Sequence, residues 1–204
     1  MDKSNCFSDL KDEETLYWLG FLAADGCVEE RSSIPSSISI TIKPEDYSHL
    51  EKFKSYLGSN NKIMRREKDF RICIGGRNSF IPRLLEYGIT PRKTFTLKVI
   101  DELAKSNHFW RGVFDGDGTF GQYGRNQQAC LATASVDFSN QFLSYLNSIN
   151  IPSRTNKLKS GVFITGNFSL PFVKFLLDDL YLDSNIFLER KKIKYLNMYP
   201  NTPT

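Results

Sequence analysis

The 204-residue sequence has no apolar run long enough to cross a bilayer, which excludes a helical membrane span. Its four cysteines, Cys6, Cys27, Cys73 and Cys130, lie far apart without a CxxC pair, and its two histidines, His49 and His108, join them in no ligand spacing. Zinc sites and structural disulfides are therefore not expected, and the thiols read as small, half-buried apolar groups of a reducing compartment. The N-terminus, Met1-Asp2-Lys3-Ser4-Asn5, lacks the basic-then-apolar order of a secretory signal, so an intracellular setting is expected. A strong excess of one charge is missing too. The net charge of +4 suits nucleic acid and an ordinary solvated surface equally well. With 40% hydrophobic residues the chain can bury a core, as one compact domain or two small packed ones.

What the sequence does contain is an internal repeat. One segment reads Tyr17-Trp18-Leu19-Gly20-Phe21-Leu22-Ala23-Ala24-Asp25-Gly26, the other Phe109-Trp110-Arg111-Gly112-Val113-Phe114-Asp115-Gly116-Asp117-Gly118, and both follow Trp-x-Gly-x-x-x-small-Asp-Gly. The sequel is parallel. After the first copy, alternation over 37–43 predicts a strand, and the pattern over 44–57, opened by Pro44-Glu45-Asp46, predicts a helix. Residues 62–66 and 70–74 flank the turn Glu67-Lys68-Asp69 as a hairpin, and a short helix over 79–87 stops at Gly88. After the second copy the same order gives a strand at 130–135, a helix at 136–149, strands at 155–159 and 162–165, and a helix at 169–182. Each unit then ends on an Arg-Lys pair, in Thr90-Pro91-Arg92-Lys93-Thr94 and Leu188-Glu189-Arg190-Lys191-Lys192. The expected fold is α+β, two pseudo-symmetric αββαββα units spanning 1–98 and 99–204, with helices covering one face of each sheet. Residues 89–106 serve as the connection and residues 1–11 as a lead-in.

The residue types in the repeat have a physical reason. Positions four apart share a helix face, so Gly20 and Ala24 form one smooth strip and Gly112 and Gly116 another. A mid-helix glycine costs roughly 1 kcal/mol against alanine, and close pairing of the two helices along these strips explains why three are present. Each helix then stops at Asp-Gly, where the glycine is expected to take the left-handed conformation that ends helices. The acid sits at the negative end of the helix dipole, which calls for a positive partner. Paired in this way, Asp25 and Asp117 emerge side by side with the carbonyls of Ala24 and Gly116, an all-oxygen pocket of the kind Mg²⁺ prefers.

The stretches from Gly20 to Gly26 and from Gly112 to Gly118 resemble the LAGLIDADG motif of homing endonucleases. With the element order and the Pro-Arg-Lys-Thr segment, the resemblance covers residues 13–198. It implies a single-chain, monomeric endonuclease that makes site-specific double-strand cuts in a long DNA target with Mg²⁺ or another divalent cation such as Mn²⁺. It implies motif helices at the interface of the halves, sheets forming a saddle over the major groove, and metal at the scissile phosphates held by Asp25 and Asp117. A basic residue is expected near each centre to stabilise the transition-state phosphate, and Lys93 and Lys191 are the candidates, with Lys192 an alternative to Lys191. Two positions depart from the motif: Ala23 stands where the second copy has Asp115, and Arg111 where a small or apolar residue is usual.

DNA reading is expected from the sheet faces. Isoleucines 38, 40 and 42 share one face of the strand, leaving Ser37, Ser39, Thr41 and Lys43 on the other. Arg31, Arg65, Arg66, Arg71, Arg77, Arg125, Gln127, Gln128, Arg154, Lys157 and Lys159 lie on or beside predicted strands and turns, where they could reach base edges or phosphates. Lys43 aligns with Ser135, so an asymmetric target is expected. Two rivals use the same fold: an RNA maturase that assists splicing of its intron, and a non-catalytic DNA-binding regulator. Intact acids at both helix ends weigh against the regulator, which needs no metal-binding pair, and against a pure maturase, while a protein that cuts DNA and also binds intron RNA stays open; the lack of a flanking splicing domain weighs against an intein.

Overall fold

The computed structural model describes residues 5–124 and 126–201. Arg125, one of the expected DNA contacts, lies outside them. The first half contains α1 (Glu13–Ala24), β1 (Gly26–Arg31), β2 (Ile34–Ile42), α2 (Tyr47–Tyr56), β3 (Met64–Arg65), β4 (Phe70–Gly75) and α3 (Ile81–Glu86). A short helix, α4 (Asp101–Ala104), leads into α5 (Asn107–Gly116), β5 (Gly118–Tyr123), β6 (Asn126–Thr133), α6 (Val136–Ser148), β7 (Arg154–Lys157), β8 (Phe163–Asn167), α7 (Leu170–Tyr181) and α8 (Glu189–Met198). Each half forms one four-stranded antiparallel sheet, with order β1-β2-β4-β3 in the first and β5-β6-β8-β7 in the second. The architecture is α+β with two pseudo-symmetric halves. Among the described residues no helix is long and apolar enough to cross a membrane.

The motif helices start on side-chain caps, Asp12 accepting from Thr15 N at 2.7 Å and Ser106 from Phe109 N at 3.3 Å. Every residue from Thr15 to Ala23 in α1 is buried, as is every residue from Phe109 to Asp115 in α5. The two helices pack against each other at the centre of the molecule and against their own sheets at the sides. The repeated tryptophans anchor each half in the same way: Trp18 packs on Phe53 of α2 with ring centroids 5.0 Å apart, and Trp110 on Phe142 of α6 at 4.9 Å. One helix-facing side of the first sheet carries Val28, Ile38, Ile40, Ile72 and Ile74, all buried, which is the period-two alternation of a half-covered sheet.

Three expectations change. Gly26 and Gly118 are not left-handed; the positive-φ glycines are Gly58, Gly88, Gly124 and Gly161. They are glycines because the chain turns from helix straight into strand, and a Cβ would stand 2.7 Å from the Cα of Leu22 in one and of Phe114 in the other. The segment after the last helix also differs between halves: Lys93 opens a single 3-10 turn, whereas Lys191 lies inside the full helix α8. Cys27 is exposed rather than half-buried; all four cysteines are free thiols.

Candidate active site

Close packing of α1 on α5 positions the two acids. A Cβ on Gly20 would overlap the carbonyl oxygen of Phe109 and one on Gly112 that of Tyr17. One turn further along, a Cβ on Gly116 would lie 2.6 Å from the Cβ of Ala24 and 3.2 Å from Oδ2 of Asp25. The small-residue strip thus runs to the helix ends, where Asp25 and Asp117 are the C-terminal caps. Both acids present an exposed face, while the protein packed around the rest of each carboxyl withdraws water from it. Burial, then the charge of Asp117, raises the pKa of Asp25 from 3.8 to about 6; burial also raises that of Asp117.

The lysines moderate this repulsion. Lys93 donates to the carbonyl of Gly26, and Lys191 to those of Gly118 and, at 3.0 Å, Phe114, so each is tied to the residue after its own half's acid. Their electrostatic reach crosses over: Lys191 is the stronger cationic neighbour of Asp25 and Lys93 that of Asp117. Desolvation lowers the pKa of both ammonium groups, that of Lys191 to about 8. Lys192 points elsewhere, donating to Tyr181 O and, at 3.3 Å, Leu182 O, where it caps the C-terminus of α7. Lys191 is therefore the residue brought to the acids.

A cleft opens beside each acid. That at Asp25, about 470 Å³, is bounded by Gly116 from the opposite helix, Thr41 and Lys43 from the end of β2, Lys68, and Arg190. The cleft at Asp117, about 210 Å³, is bounded by Ala24, by Ala132 and Ala134 from the end of β6, and by Lys93. The two are related by the pseudo-symmetry, but the first is lined by more charged groups of both signs, Asp46 and Asp69 as well as the three cations, and the second only by Asp117 and Lys93.

The open faces of the sheets carry part of the expected DNA-reading set. Strand register puts Ser37, Ser39, Thr41 and Arg71 together on the first, and Gln128 and Arg154 on the second. Arg31, Lys43, Arg66, Arg77 and Lys159 are exposed at strand ends and in connections. Three side chains stand on the other side, because their pairing sets their face: Arg65 opposite Phe70, Gln127 buried and accepting from Tyr199 Oη, and Lys157 opposite Phe163. Ser39 is only 4% exposed, covered by a cluster in which it donates to Glu29 at 2.7 Å and Arg71 pairs with the same carboxylate.

The motif's departures form a buried polar network. Asp115, fully buried, accepts from Tyr17 Oη at 2.8 Å, Tyr181 Oη at 2.7 Å and Leu188 N at 2.6 Å, and desolvation raises its pKa to about 6. Arg111, 1% exposed, donates to Ile186 O at 2.8 Å and pairs with Glu13 at 2.5 Å. Both span the halves and fix the segment 180–188 that delivers α8, a role the one-dimensional motif gives no sign of beyond the irregularity itself.

Residues 104–167 match the LAGLIDADG-like domain family. No curated protein matches the chain in sequence. Among solved structures, I-GzeII in complex with its DNA target superposes with a TM-score of 0.61 at 11% identity, covering 93% of this chain and 92% of that one. I-SmaMI bound to cleaved DNA gives 0.60 at 13% identity, with 89% and 86% covered. Mesophilic variants of I-DmoI give 0.57 at 12%, with 84% and 97% covered. The chain therefore has, over nearly its whole length, the fold of the LAGLIDADG homing endonucleases, with a LAGLIDADG-like domain matched over residues 104–167.

Proposed function

We propose that the protein is a site-specific DNA endonuclease that makes divalent-metal-dependent double-strand cuts in a long, asymmetric target. The observation that carries this reading is the placement of Asp25 and Asp117 side by side at the ends of α1 and α5, with Lys93 and Lys191 as cationic neighbours of both. Two acids in one chain suit two strands, which favours a monomer divided near residue 98. Double-stranded DNA is the partner that two open, polar sheet faces accommodate, and I-GzeII and I-SmaMI are themselves DNA-bound in the structures that share this fold. The unlike open faces, with the Glu29–Arg71 ion pair in one half and Gln128 and Arg154 in the other, favour an asymmetric site.

The donor set fits Mg²⁺ or Mn²⁺. Two carboxylates whose ionised forms are destabilised by burial, and in Asp25 also by the charge of Asp117, form an anionic pocket that a hard cation would relieve, and every donor at the helix ends is oxygen. Asp25 and Asp117 with the carbonyls of Ala24 and Gly116 would hold the metal, phosphate oxygens and water completing the shell. Bound there, the ion supplies activation of water and charge stabilisation at the phosphate. The chain's own residues do the rest. Lys191 and Lys93, positioned by their carbonyl contacts, set positive charge where negative charge builds up on the phosphate oxygens. The sheet faces align the duplex, with Arg71, Gln128 and Arg154 among the side chains directed at it.

The test is selection of cut duplexes from a randomised library in Mg²⁺, with EDTA as the control. Recovery of one long target cut on both strands supports the reading; tight DNA binding with no cut in Mg²⁺ or Mn²⁺ would leave the regulator instead.

A further inference from the structure

The cleft at Asp25 has a cation that its pseudo-symmetric counterpart lacks. Arg190, at the start of α8, donates through Nε to both carboxylate oxygens of Asp46, at 3.1 and 2.9 Å. Asp46 is 6% exposed, so the anchor is firm, yet the arginine side chain is 43% exposed. Among the described residues its Nη1 and Nη2 make no hydrogen bond to protein. The guanidinium is thus held by Nε, and its outer fork is left open at the cleft that Asp25 lines. A planar fork of two N–H donors matches a phosphate bidentately, and one already immobilised by an ion pair loses little freedom on binding. Arg92, the counterpart of Arg190 in the repeat, pairs through Nη2 with Glu30 at 2.8 Å and does not line the Asp117 cleft, where the end of β6 supplies Ala132 and Ala134 in place of Thr41 and Lys43.

We propose that Arg190 is a phosphate-gripping residue of the Asp25 centre: it holds the DNA strand cut there, from the opposite half of the chain, a role that its repeat counterpart Arg92, turned to Glu30, does not fill at the Asp117 centre. The inference rests on the nuclease reading. It makes the two centres unequal. Both acids have Lys93 and Lys191 as cationic neighbours, and Asp25 has the fixed arginine fork in addition, so loss of Arg190 affects one strand selectively. A purely structural role, pairing Asp46 and bracing α8, would instead slow both cuts together.

The experiment is strand-resolved cleavage in Mg²⁺ of a duplex recovered by library selection with the wild-type protein, the Asp25-dependent cut being the one that Asp25→Asn slows most. Arg190→Gln is expected to slow that cut by roughly 10- to 100-fold and leave the other within about threefold, so that nicked product accumulates. The salt dependence of binding should fall by about one phosphate contact, read as the slope of log affinity against log salt. Asp46→Asn/Arg190→Gln, which leaves no unpaired buried carboxylate, should show the same strand selectivity and serves if the single variant folds poorly. Equal slowing of both cuts, or wild-type rates at both, would overturn the assignment of Arg190 while leaving the nuclease reading intact. Failure of the wild-type protein to cut any duplex would overturn both.

Discussion

Gly112 packs against Tyr17 so closely that a Cβ on the glycine would overlap the tyrosine's carbonyl oxygen and stand 2.7 Å from Phe21 N. Its counterpart Gly20 meets the carbonyl of Phe109 in the same way. These atoms are backbone within two packed helices and cannot swing aside. Gly112→Ala and Gly20→Ala should each destabilise the fold by about 1–3 kcal/mol or more, although a glycine-to-alanine change at an unhindered helix position would gain up to about 1 kcal/mol. Urea unfolding measures this directly, and stability unchanged or raised would mean that the helices do not meet along this strip.

That contact is legible in the amino-acid sequence alone, since glycines four apart in a repeated apolar helix call for a close neighbour. The acids at the helix ends, the order of the elements and the open face of Ser37, Ser39 and Thr41 follow from period and spacing. Other features are not legible. A charged or amide residue on a strand suggests solvent, which puts Gln127 and Lys157 on the DNA side, but pairing register, which no single strand encodes, turns them the other way. The crossing of Lys93 and Lys191 to the opposite acid depends on how α1 and α5 meet in space. Arg190 stands out in the sequence only as half of an Arg-Lys pair; its value lies in a partner, Asp46, that is 144 residues distant.

Asp115 supports three donors at once, from Tyr17, Tyr181 and Leu188. Its removal strands them in the core, where each unmet group costs about 1–3 kcal/mol. Asp115→Ala should destabilise the protein by roughly 3 kcal/mol or more, and Asp115→Asn, which keeps part of the acceptor capacity, by less. Equal and small losses in both variants would mean that water takes over the network.

The raised pKa of Asp25 fixes a pH dependence. A carboxyl that titrates near 6 in the folded protein and near 3.8 when unfolded holds its proton more tightly in the fold. The stability it confers is complete below about pH 4 and is lost as the pH rises through about 6. Asp25→Asn escapes that loss, so the variant should be more stable than wild type at pH 8 and approach it toward pH 4. Mg²⁺ should restore stability to the wild type at pH 8 and do so less in the variant. Thermal melts at both pH values, with and without Mg²⁺, check the sign; a wild type more stable than the variant at pH 8 in EDTA would contradict it.

Each lysine should serve the acid of the other half. Lys191→Met is expected to slow the Asp25-dependent cut by about 10²-fold and Lys93→Met the Asp117-dependent cut by a similar factor. Strand-specific end labelling separates the two rates. The opposite pairing would show that the lysines act within their own halves, where their carbonyl contacts hold them.

The most direct measurement follows a supercoiled plasmid carrying a library-selected target in Mg²⁺ with wild type, Asp25→Asn and Asp117→Asn. Wild type should give linear DNA, and each single variant nicked circles at most, because each centre has lost its acid while the other remains. Linear product from either variant at the wild-type rate would contradict the assignment of the paired helix ends as the catalytic centre.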